Sequence, residues 1–319
     1  MSLEESVRHE EQERMSAEIF RQKKARYLFD PSSKIPFRLS RSRLENFLSC
    51  PRCFYLDRRL GIEPPGMPAF TLNSAVDELL KKEFDIYRRM KKAHPLMERF
   101  GVRAIPWAHP LLEEWRQPFK GISYHHPSLN VVLYGAVDDL WVDEERTAMV
   151  VDYKATCSQG PVSLEGPYRQ AYKRQMEVYQ WLLRRQGFVV SETGYFVYCN
   201  GNKSLAQFDS RLEFSIEIIP YHGRDSWVEE ALSQALACLT KDSLPNSSPD
   251  CGYCHYRQRA HSKEEESTPE PEAGSRSSSE LSIIVQKGRM EAYRYQFGVG
   301  HKKRTPPLAR EAAQQRELF

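Results

Sequence analysis

Two aspartates and a lysine follow apolar segments, at places where a half-buried strand would normally carry no charge. Asp138 follows NVVLYGAV, whereas Asp152 and Lys154 follow AMVV. The polar turn DEERT separates the two segments, so the pattern predicts an antiparallel hairpin centred on Glu145. In that register Asp138 directly opposes Asp152, and the Cβ atoms of opposed residues are about 4.5–5.5 Å apart.

Two opposed carboxylates repel each other unless a cation lies between them, so the hairpin predicts a site for a divalent ion that prefers oxygen ligands. Period-two alternation places Lys154 on the face of Asp152 and turns the neighbouring acid, Asp139, to the other face. A one-residue slip in register would destroy this arrangement. The alternative is that these residues are surface charges on the solvent face of an edge strand.

A third group of polar residues lies on a helix predicted over residues 168–186, which Gly187 ends as a C-terminal cap. Gln175 and Tyr179 are one helical turn apart and therefore reach the same face. We expect them to position a nucleophile or a substrate strand. Alternatively, Tyr179 is a core residue and Gln175 a buried hydrogen-bonding group.

The same helix carries four basic residues that either follow a phosphate backbone or simply face water. They are Lys173, Arg174, Arg184 and Arg185.

The elements around the hairpin must hold these side chains in place. A second helix is predicted from about Leu72 to Met90. Its expected apolar stripe consists of Leu72, Val76, Leu79, Leu80 and Tyr87.

Two CxxC pairs, Cys50 with Cys53 and Cys251 with Cys254, are separated by most of the chain, so they do not form a compact zinc ribbon. Four thiolates suit a tetrahedral Zn²⁺ ion or a 4Fe–4S cluster, and such a site would join the start and end of one domain. The alternative is a set of buried cysteines without metal. The other cysteines are predicted to be small core residues. They are Cys157, Cys199 and Cys238.

Taken in order, GAVD, DYK and QMEVY resemble the motifs of the PD-(D/E)XK nuclease superfamily, and they are most similar to those of RecB-type nucleases and the iron–sulfur nucleases of CRISPR adaptation. That family has a Gly-x-x-Asp strand, an Asp/Glu-x-Lys strand and a Gln-x-x-x-Tyr helix. The matching residues are Gly135 and Asp138, then Asp152 and Lys154, then Gln175 and Tyr179. The segment SRSRLENFLSCPRCFYL resembles the first helix of these nucleases, which carries a cysteine near its end.

The resemblance implies an α/β fold with a restriction-endonuclease-like core, in which helices flank a mixed central β-sheet. We expect a charged N-terminal extension over residues 1–36 and a nuclease-like domain over residues 37–260. Residues 261–319 form a low-complexity basic tail. We expect the tail to be disordered, because it cannot bury enough apolar surface to offset chain entropy.

The resemblance also implies metal-dependent hydrolysis of phosphodiester bonds. Asp138, Asp152 and the carbonyl of Tyr153 would hold Mg²⁺ or Mn²⁺, which lowers the pKa of an attacking water. Lys154 would orient that water or neutralise charge developing on the phosphate. Many RecB-type members have a further histidine ligand on the preceding helix. Here that position is Asp77, which either binds the ion or faces water.

The cysteines of the iron–sulfur relatives comprise one before the core and three after it. Cys50, Cys251 and Cys254 match this arrangement, but the last position is Ala260. We expect Cys53 to take that place, because it lies one helical turn from Cys50.

Three functions remain open at this stage. The first is an active nuclease of the repair or recombination type, acting on DNA rather than RNA, with any helicase supplied by another chain. The second is an inactive nucleic-acid-binding module of the same fold, for which the Asp77 substitution argues. The third is a protein-interaction module clasped by a metal. Asp138 and Asp152 favour the enzyme, because two acids would repel phosphate in a simple binding module.

The composition of the chain limits the class of protein further. Its 319 residues are 40% hydrophobic and 28% charged, which is typical of globular proteins. The net charge of +3 provides no global basic field, so nucleic-acid binding must come from local patches. No apolar stretch is long enough to cross a bilayer, and the first segment is too charged for a signal peptide. We expect a cytoplasmic protein with reduced cysteines and no membrane partner.

Overall fold

The structure is a computed structural model that describes residues 27–66, 70–166 and 169–267. The strands in these residues are β1 (Phe37–Ser40), β2 (Ile105–Pro106), β3 (Ile122–His126), β4 (Val131–Gly135), β5 (Asp139–Val142), β6 (Ala148–Thr156), β7 (Thr193–Gly201) and β8 (Phe214–His222). The helices are α1 (Arg41–Ser49), α2 (Pro51–Arg58), α3 (Thr71–Met90), α4 (Pro95–Arg99), α5 (Leu112–Trp115), α6 (Gln170–Arg185), α7 (Val228–Leu239) and α8 (Gly252–Ser267).

The strands form two mixed sheets. The first has the order β1-β4-β3, in which β1 runs parallel and β3 antiparallel to β4. The second has the order β2-β5-β6-β7-β8, in which only β6 and β7 are a parallel pair. Helix α6 provides the crossover between these two strands. The predicted α/β class with mixed sheets and flanking helices is confirmed, although the strands are divided between two sheets.

The chain changes sheets immediately before the first candidate aspartate. The run from Asn130 to Val142 is not one continuous strand, because β4 ends at Gly135 and β5 begins at Asp139 in the other sheet. Between them, the amide of Val137 donates to the carbonyl of Trp115 at 3.1 Å. Asp138 therefore lies outside both ladders, and its side chain can turn toward β6.

The predicted hairpin register is confirmed. Asp139 pairs with Val151, and the ladder continues to Val142 opposite Ala148. The turn is closed by the amide of Thr147, which donates to the Asp143 carboxylate at 2.8 Å. One step beyond the last pair, the same register sets Asp138 opposite Asp152.

Helix α3 covers the second sheet, and the predicted apolar stripe of this helix is correct only in part. Leu72 and Leu79 are 59% and 64% exposed, whereas Leu80 and Phe84 are buried against the sheet. The side-chain amide of Asn73 donates to the backbone carbonyl of Ala155 at 3.2 Å, which ties the start of the helix to β6. This rotation of the helix determines which of its charged residues face the hairpin.

The largest apolar cluster joins the first sheet to α1, α6 and α7 and extends to the second sheet through β5, β6 and β7. Its fully buried members include Leu44, Leu133, Leu182 and Leu232. Gly187, with φ +87°, follows the end of α6, as predicted. This core fixes α6 relative to β6 and thereby positions the polar residues near the start of the helix.

The chain divides into two units, residues 1–259 and residues 260–319. Both sheets belong to the first unit, and the second is described only as the end of α8, which reaches Ser267. The remaining tail and residues 1–26 of the charged extension lie outside the described residues, so the proposed domain limits stay a prediction. None of the described helices has the length and apolar composition needed to span a bilayer.

Gly121 permits the close approach of two backbone segments where the chain changes sheets. It has φ +59°, and an added Cβ atom would overlap the carbonyl group of Gly135 and come within 3.0 Å of the Ala136 amide. We expect Gly121→Ala to lower the free energy of unfolding by about 3 kcal/mol, from left-handed strain and overpacking together. Urea denaturation measures this loss.

Gly101→Ala is the matched control, because Gly101 also has a positive φ but meets no atom within 4 Å. It should cost only about 1 kcal/mol. Equal losses in the two variants would contradict the role assigned to the close backbone approach.

Candidate active site

The structure brings Asp138 and Asp152 together at the end of the hairpin. The two carboxyl groups interact electrostatically, and besides burial the negative charge of Asp138 raises the pKa of Asp152. Asp152 is fully buried on β6, whereas the side chain of Asp138 is 21% exposed. The amide of Tyr153 donates to Oδ2 of Asp138 at 3.1 Å. The opposition expected from the register is therefore present, and one of the two acids is accessible from solvent.

Two ammonium groups neutralise this acidic pair. Lys154 forms an ion pair with Oδ2 of Asp152. Lys81 on α3 donates to Oδ1 of Asp138 at 3.1 Å and to Oδ2 of Asp77 at 2.7 Å. Asp77 thus joins the site through a shared lysine. The role of Lys81 was missed from the sequence, although its position four residues after Asp77 places both on one helix face.

The electrostatic environment separates the two aspartates. Burial raises the pKa of Asp152 to about 7, and the negative charge of Asp138 adds to this effect against the opposing influence of Lys154. Burial also disfavours ionisation of Asp138, but the charges of Lys81 and Lys154 outweigh it and hold its pKa below the ordinary value. The pair therefore retains one proton until the pH approaches neutrality.

Gln175 and Tyr179 have different roles in the geometry. The side-chain amide of Gln175 donates to Oδ1 of Asp152 at 2.8 Å, which fixes the carboxylate. Tyr179 is only 3% exposed and packs over Gly135, where an added Cβ atom would lie 2.7 Å from its ring. The structure thus favours the packing alternative for Tyr179, and it gives a steric reason for the glycine in GAVD.

Asp139 faces away from the site, as its position in the register predicts. It is fully buried, pairs with Arg88 and accepts from the hydroxyl of Tyr153 at 2.6 Å. Arg116 pairs with the same carboxylate and donates to the backbone carbonyl of Asp138 at 3.0 Å. This network holds the backbone of Asp138 from the opposite face.

The oxygen donors around the pair are of the type that a hard divalent ion prefers, although the carboxylates of Asp77, Asp138 and Asp152 do not all lie within 4.8 Å of one another, as the sulfur atoms of the two CxxC pairs do. Asp138 and Asp152 supply carboxylate oxygens, and Asp77 supplies another next to Lys81. Because the amide and carbonyl of one strand residue lie on the same strand edge, the carbonyl of Tyr153 faces the side of Asp138. Oxygen-only sites suit Mg²⁺ or Mn²⁺. The ammonium of Lys81 shows that a cation is stabilised between Asp77 and Asp138.

The four cysteines of the CxxC pairs form a second cluster, with all sulfur atoms within 4.8 Å of one another. Cys53 lies 3.5 Å from both Cys251 and Cys254, and Cys50 lies 3.8 Å from Cys254. Cys53 therefore completes the group, as its spacing from Cys50 predicts. The cluster ties the start of α2 to the start of α8.

The cysteine environment is suited to binding a cation. Burial opposes ionisation of Cys50, but hydrogen bonds from the amides of Cys53 and Ser248 lower its pKa to about 7. Burial raises the pKa of Cys254 to about 11 and also raises that of Cys53. A bound cation would allow all the thiols to ionise.

The other cysteines match the prediction only in part. Cys199 and Cys238 are buried, as expected for small core residues, but Cys157 is exposed.

Comparison with known families agrees with the motifs. The family model of the PD-(D/E)XK nuclease superfamily matches residues 38–259. No curated protein matches the chain. The matched segment contains both the carboxylate site and the cysteine cluster.

The raised pKa of Asp152 has a consequence for stability. Between about pH 4 and pH 7 the native state binds a proton that the unfolded state has released, so stability falls as the pH rises. We expect the free energy of unfolding of the wild type to fall by about 2 kcal/mol relative to Asp152→Asn between pH 5 and pH 7. Urea denaturation in buffers without added divalent ions measures this difference.

The Asn variant lacks the titrating group, so the changes in pKa of other residues largely cancel in the comparison. If the free energies of unfolding of the two proteins change with pH in parallel, Asp152 has an ordinary pKa, and the raised pKa is contradicted.

Proposed function

The chain belongs to the PD-(D/E)XK nuclease superfamily, and from this premise we propose that it is a divalent-metal-dependent nuclease that hydrolyses DNA. The observation that supports this function most strongly is the convergence of Asp138 and Asp152 beside Lys154. Such an arrangement is costly unless a cation is to be bound, because like charges repel.

The proposed roles follow from the contacts of each residue. Mg²⁺ or Mn²⁺, held by Asp138, Asp152 and the carbonyl of Tyr153, would polarise the scissile phosphate and lower the pKa of an attacking water. Gln175 fixes the Asp152 carboxylate, and Asp152 in turn orients Lys154. The ammonium of Lys154 stabilises the negative charge that develops on the phosphate.

Lys81 must move before a metal ion can reach Asp138. Its side chain is 22% exposed, so it can leave Asp138 and turn toward solvent when the ion is bound. Asp77 would then be released to act as a further ligand in the position where RecB-type relatives have histidine.

The proposed substrate and biological role rest on the resemblance of the sequence motifs, and of their order, to those of RecB-type nucleases. We propose a RecB-like enzyme of DNA repair or recombination that acts on DNA in preference to RNA. A helicase would be supplied by another chain. We also propose a cytoplasmic location, because four clustered cysteines suit metal binding rather than disulfides.

A second function, an inactive nucleic-acid-binding module, is favoured by one observation. Asp77, in the position of a ligand, is already paired with Lys81. If this pair does not open, the site loses a ligand and cleavage fails, although the fold can still bind nucleic acid.

For the cysteine cluster we propose a structural Zn²⁺ ion rather than a 4Fe–4S cluster. Tetrahedral Zn–S bonds of about 2.3 Å place the sulfur atoms about 3.8 Å apart. Three of the six sulfur–sulfur separations are 3.5–3.8 Å and agree with this value. A cubane cluster places an iron atom between each thiolate and its centre, which holds the sulfur atoms farther apart.

Cleavage of labelled DNA tests the proposed enzyme. We expect the wild type to cut single- or double-stranded DNA with Mg²⁺ or Mn²⁺ and to be inactive in EDTA. Asp152→Asn and Lys154→Met should each reduce the rate by at least about a hundredfold, because each removes electrostatic stabilisation of the transition state.

Lys82→Met is the control, because Lys82 follows Lys81 on α3 but forms an exposed pair with Glu78. This variant should cleave as the wild type does. If the wild type binds DNA without cutting it under any of these conditions, the inactive binding module is correct. Faster cleavage of RNA would contradict the DNA preference.

Metal analysis of the purified protein tests the cysteine centre. We expect about one zinc per chain in the wild type and almost none in Cys254→Ser, which should melt about 5–10 °C lower because the metal links two ends of the domain. Cys157→Ser is the matched control, since Cys157 is exposed and outside the cluster. Iron with sulfide in a brown protein would contradict the assignment of zinc. A metal-free wild type would contradict the proposal that the four cysteines bind a metal ion.

A further inference from the structure

The four basic residues predicted on α6 are all paired with acids from other parts of the chain. The shortest partner distances are 3.4 Å for Lys173 to Glu165, 2.6 Å for Arg174 to Glu45, 2.5 Å for Arg184 to Asp225 and 2.6 Å for Arg185 to Glu229. An arginine neutralised in this way is a poor phosphate ligand, because a phosphate must compete with the carboxylate. The expected basic track along the helix is therefore unsuitable.

Arg169, immediately before α6, differs from these residues. Within the described parts of the chain, no acidic side chain lies within ion-pair distance of its guanidinium group. Its Nη1 donates to the hydroxyl of Tyr198 at 3.2 Å, and its guanidinium lies 5.5 Å from the centroid of the Tyr198 ring. Tyrosine rings hold an arginine in place without neutralising its charge.

The position of Arg169 relates it to the candidate active site. Its guanidinium lies 5.6 Å from the centroid of the Tyr172 ring, and the ammonium of Lys154 lies 4.9 Å from the same centroid. On β6 and β7, Lys154 pairs in register with Tyr198, the other aromatic residue that Arg169 contacts. One aromatic pair thus holds a guanidinium group next to the proposed catalytic ammonium.

We propose that Arg169 binds the backbone phosphate next to the scissile phosphate of a nucleic-acid strand. An arginine has N–H donors in a planar fork that matches two phosphate oxygens, and most of these donors are not used by Tyr198. Lys154 contacts the reacting phosphate, and Arg169 fixes the adjacent phosphate. This subsite rests on the proposed nuclease function, and it assigns to Arg169 the backbone contact expected from the basic face of α6.

The test measures binding of labelled single-stranded DNA to the full-length Asp152→Asn protein, which keeps the DNA intact, as a function of salt concentration. We expect Arg169→Gln to weaken binding about tenfold and to reduce the slope of log K against log salt by about 0.7, the value for one lost phosphate contact. Arg169→Lys keeps the charge and should retain the slope while binding more weakly. Because Lys is a smaller change, this variant also remains informative if the Gln variant folds poorly.

Arg185→Gln is the matched control. Arg185 also lies over aromatic rings, 5.0 Å from the centroid of Trp181, but it is paired with Glu229 and is 42% exposed. Its replacement should leave the salt slope unchanged. A purely structural role for Arg169 would lower the melting temperature without changing the slope.

The proposal for Arg169 is overturned if Arg169→Gln binds DNA with the slope of its parent, or if Arg185→Gln alters the slope equally. Cleavage by the wild type, measured in parallel, separates the failure of the Arg169 subsite from the failure of the proposed nuclease function. Cleavage with an unchanged slope refutes only the Arg169 subsite. Absence of both cleavage and binding refutes the nuclease and the subsite together.

Discussion

Repulsion between the buried Asp152 and its partly exposed neighbour Asp138 is the constraint on which the rest of the structure depends. Asp152 is fully buried beside Asp138, and its raised pKa expresses the cost of a second negative charge there. Lys154 and Lys81 offset that cost from two different elements, β6 and α3. A divalent ion would neutralise the pair more completely than one ammonium group, and that difference in charge supplies the driving force for metal binding.

Several elements prevent the acids from separating. The β5–β6 ladder fixes the register, and the change of sheets after Gly135 frees Asp138 from both ladders. The network around Asp139 holds the backbone from behind through Arg116. These contacts are far apart in sequence, so the site is a property of the folded domain and not of the hairpin alone. The cysteine cluster adds a link between α2 and α8 at the ends of the same domain.

Local patterns in the sequence were sufficient to predict the hairpin register, the orientation of Asp139 and the grouping of the cysteines, because each depends on alternation or spacing. The change of sheets at Ala136 was not predictable, since the apolar run continues without a turn signal. The rotation of α3 was also missed, because Leu72 and Leu79 are apolar but exposed. Consequently Lys81 was not recognised, and the ion pairs that neutralise the basic face of α6 depend on tertiary contacts that no local pattern contains.

The most direct test of the shared-cation site is diffraction from crystals of the wild-type protein grown with Mn²⁺, recorded at the manganese absorption edge. We predict an anomalous peak between the carboxylates of Asp138 and Asp152, with Lys81 turned away from Asp138. No peak at this position, with Lys81 still joining Asp77 to Asp138, would contradict the site.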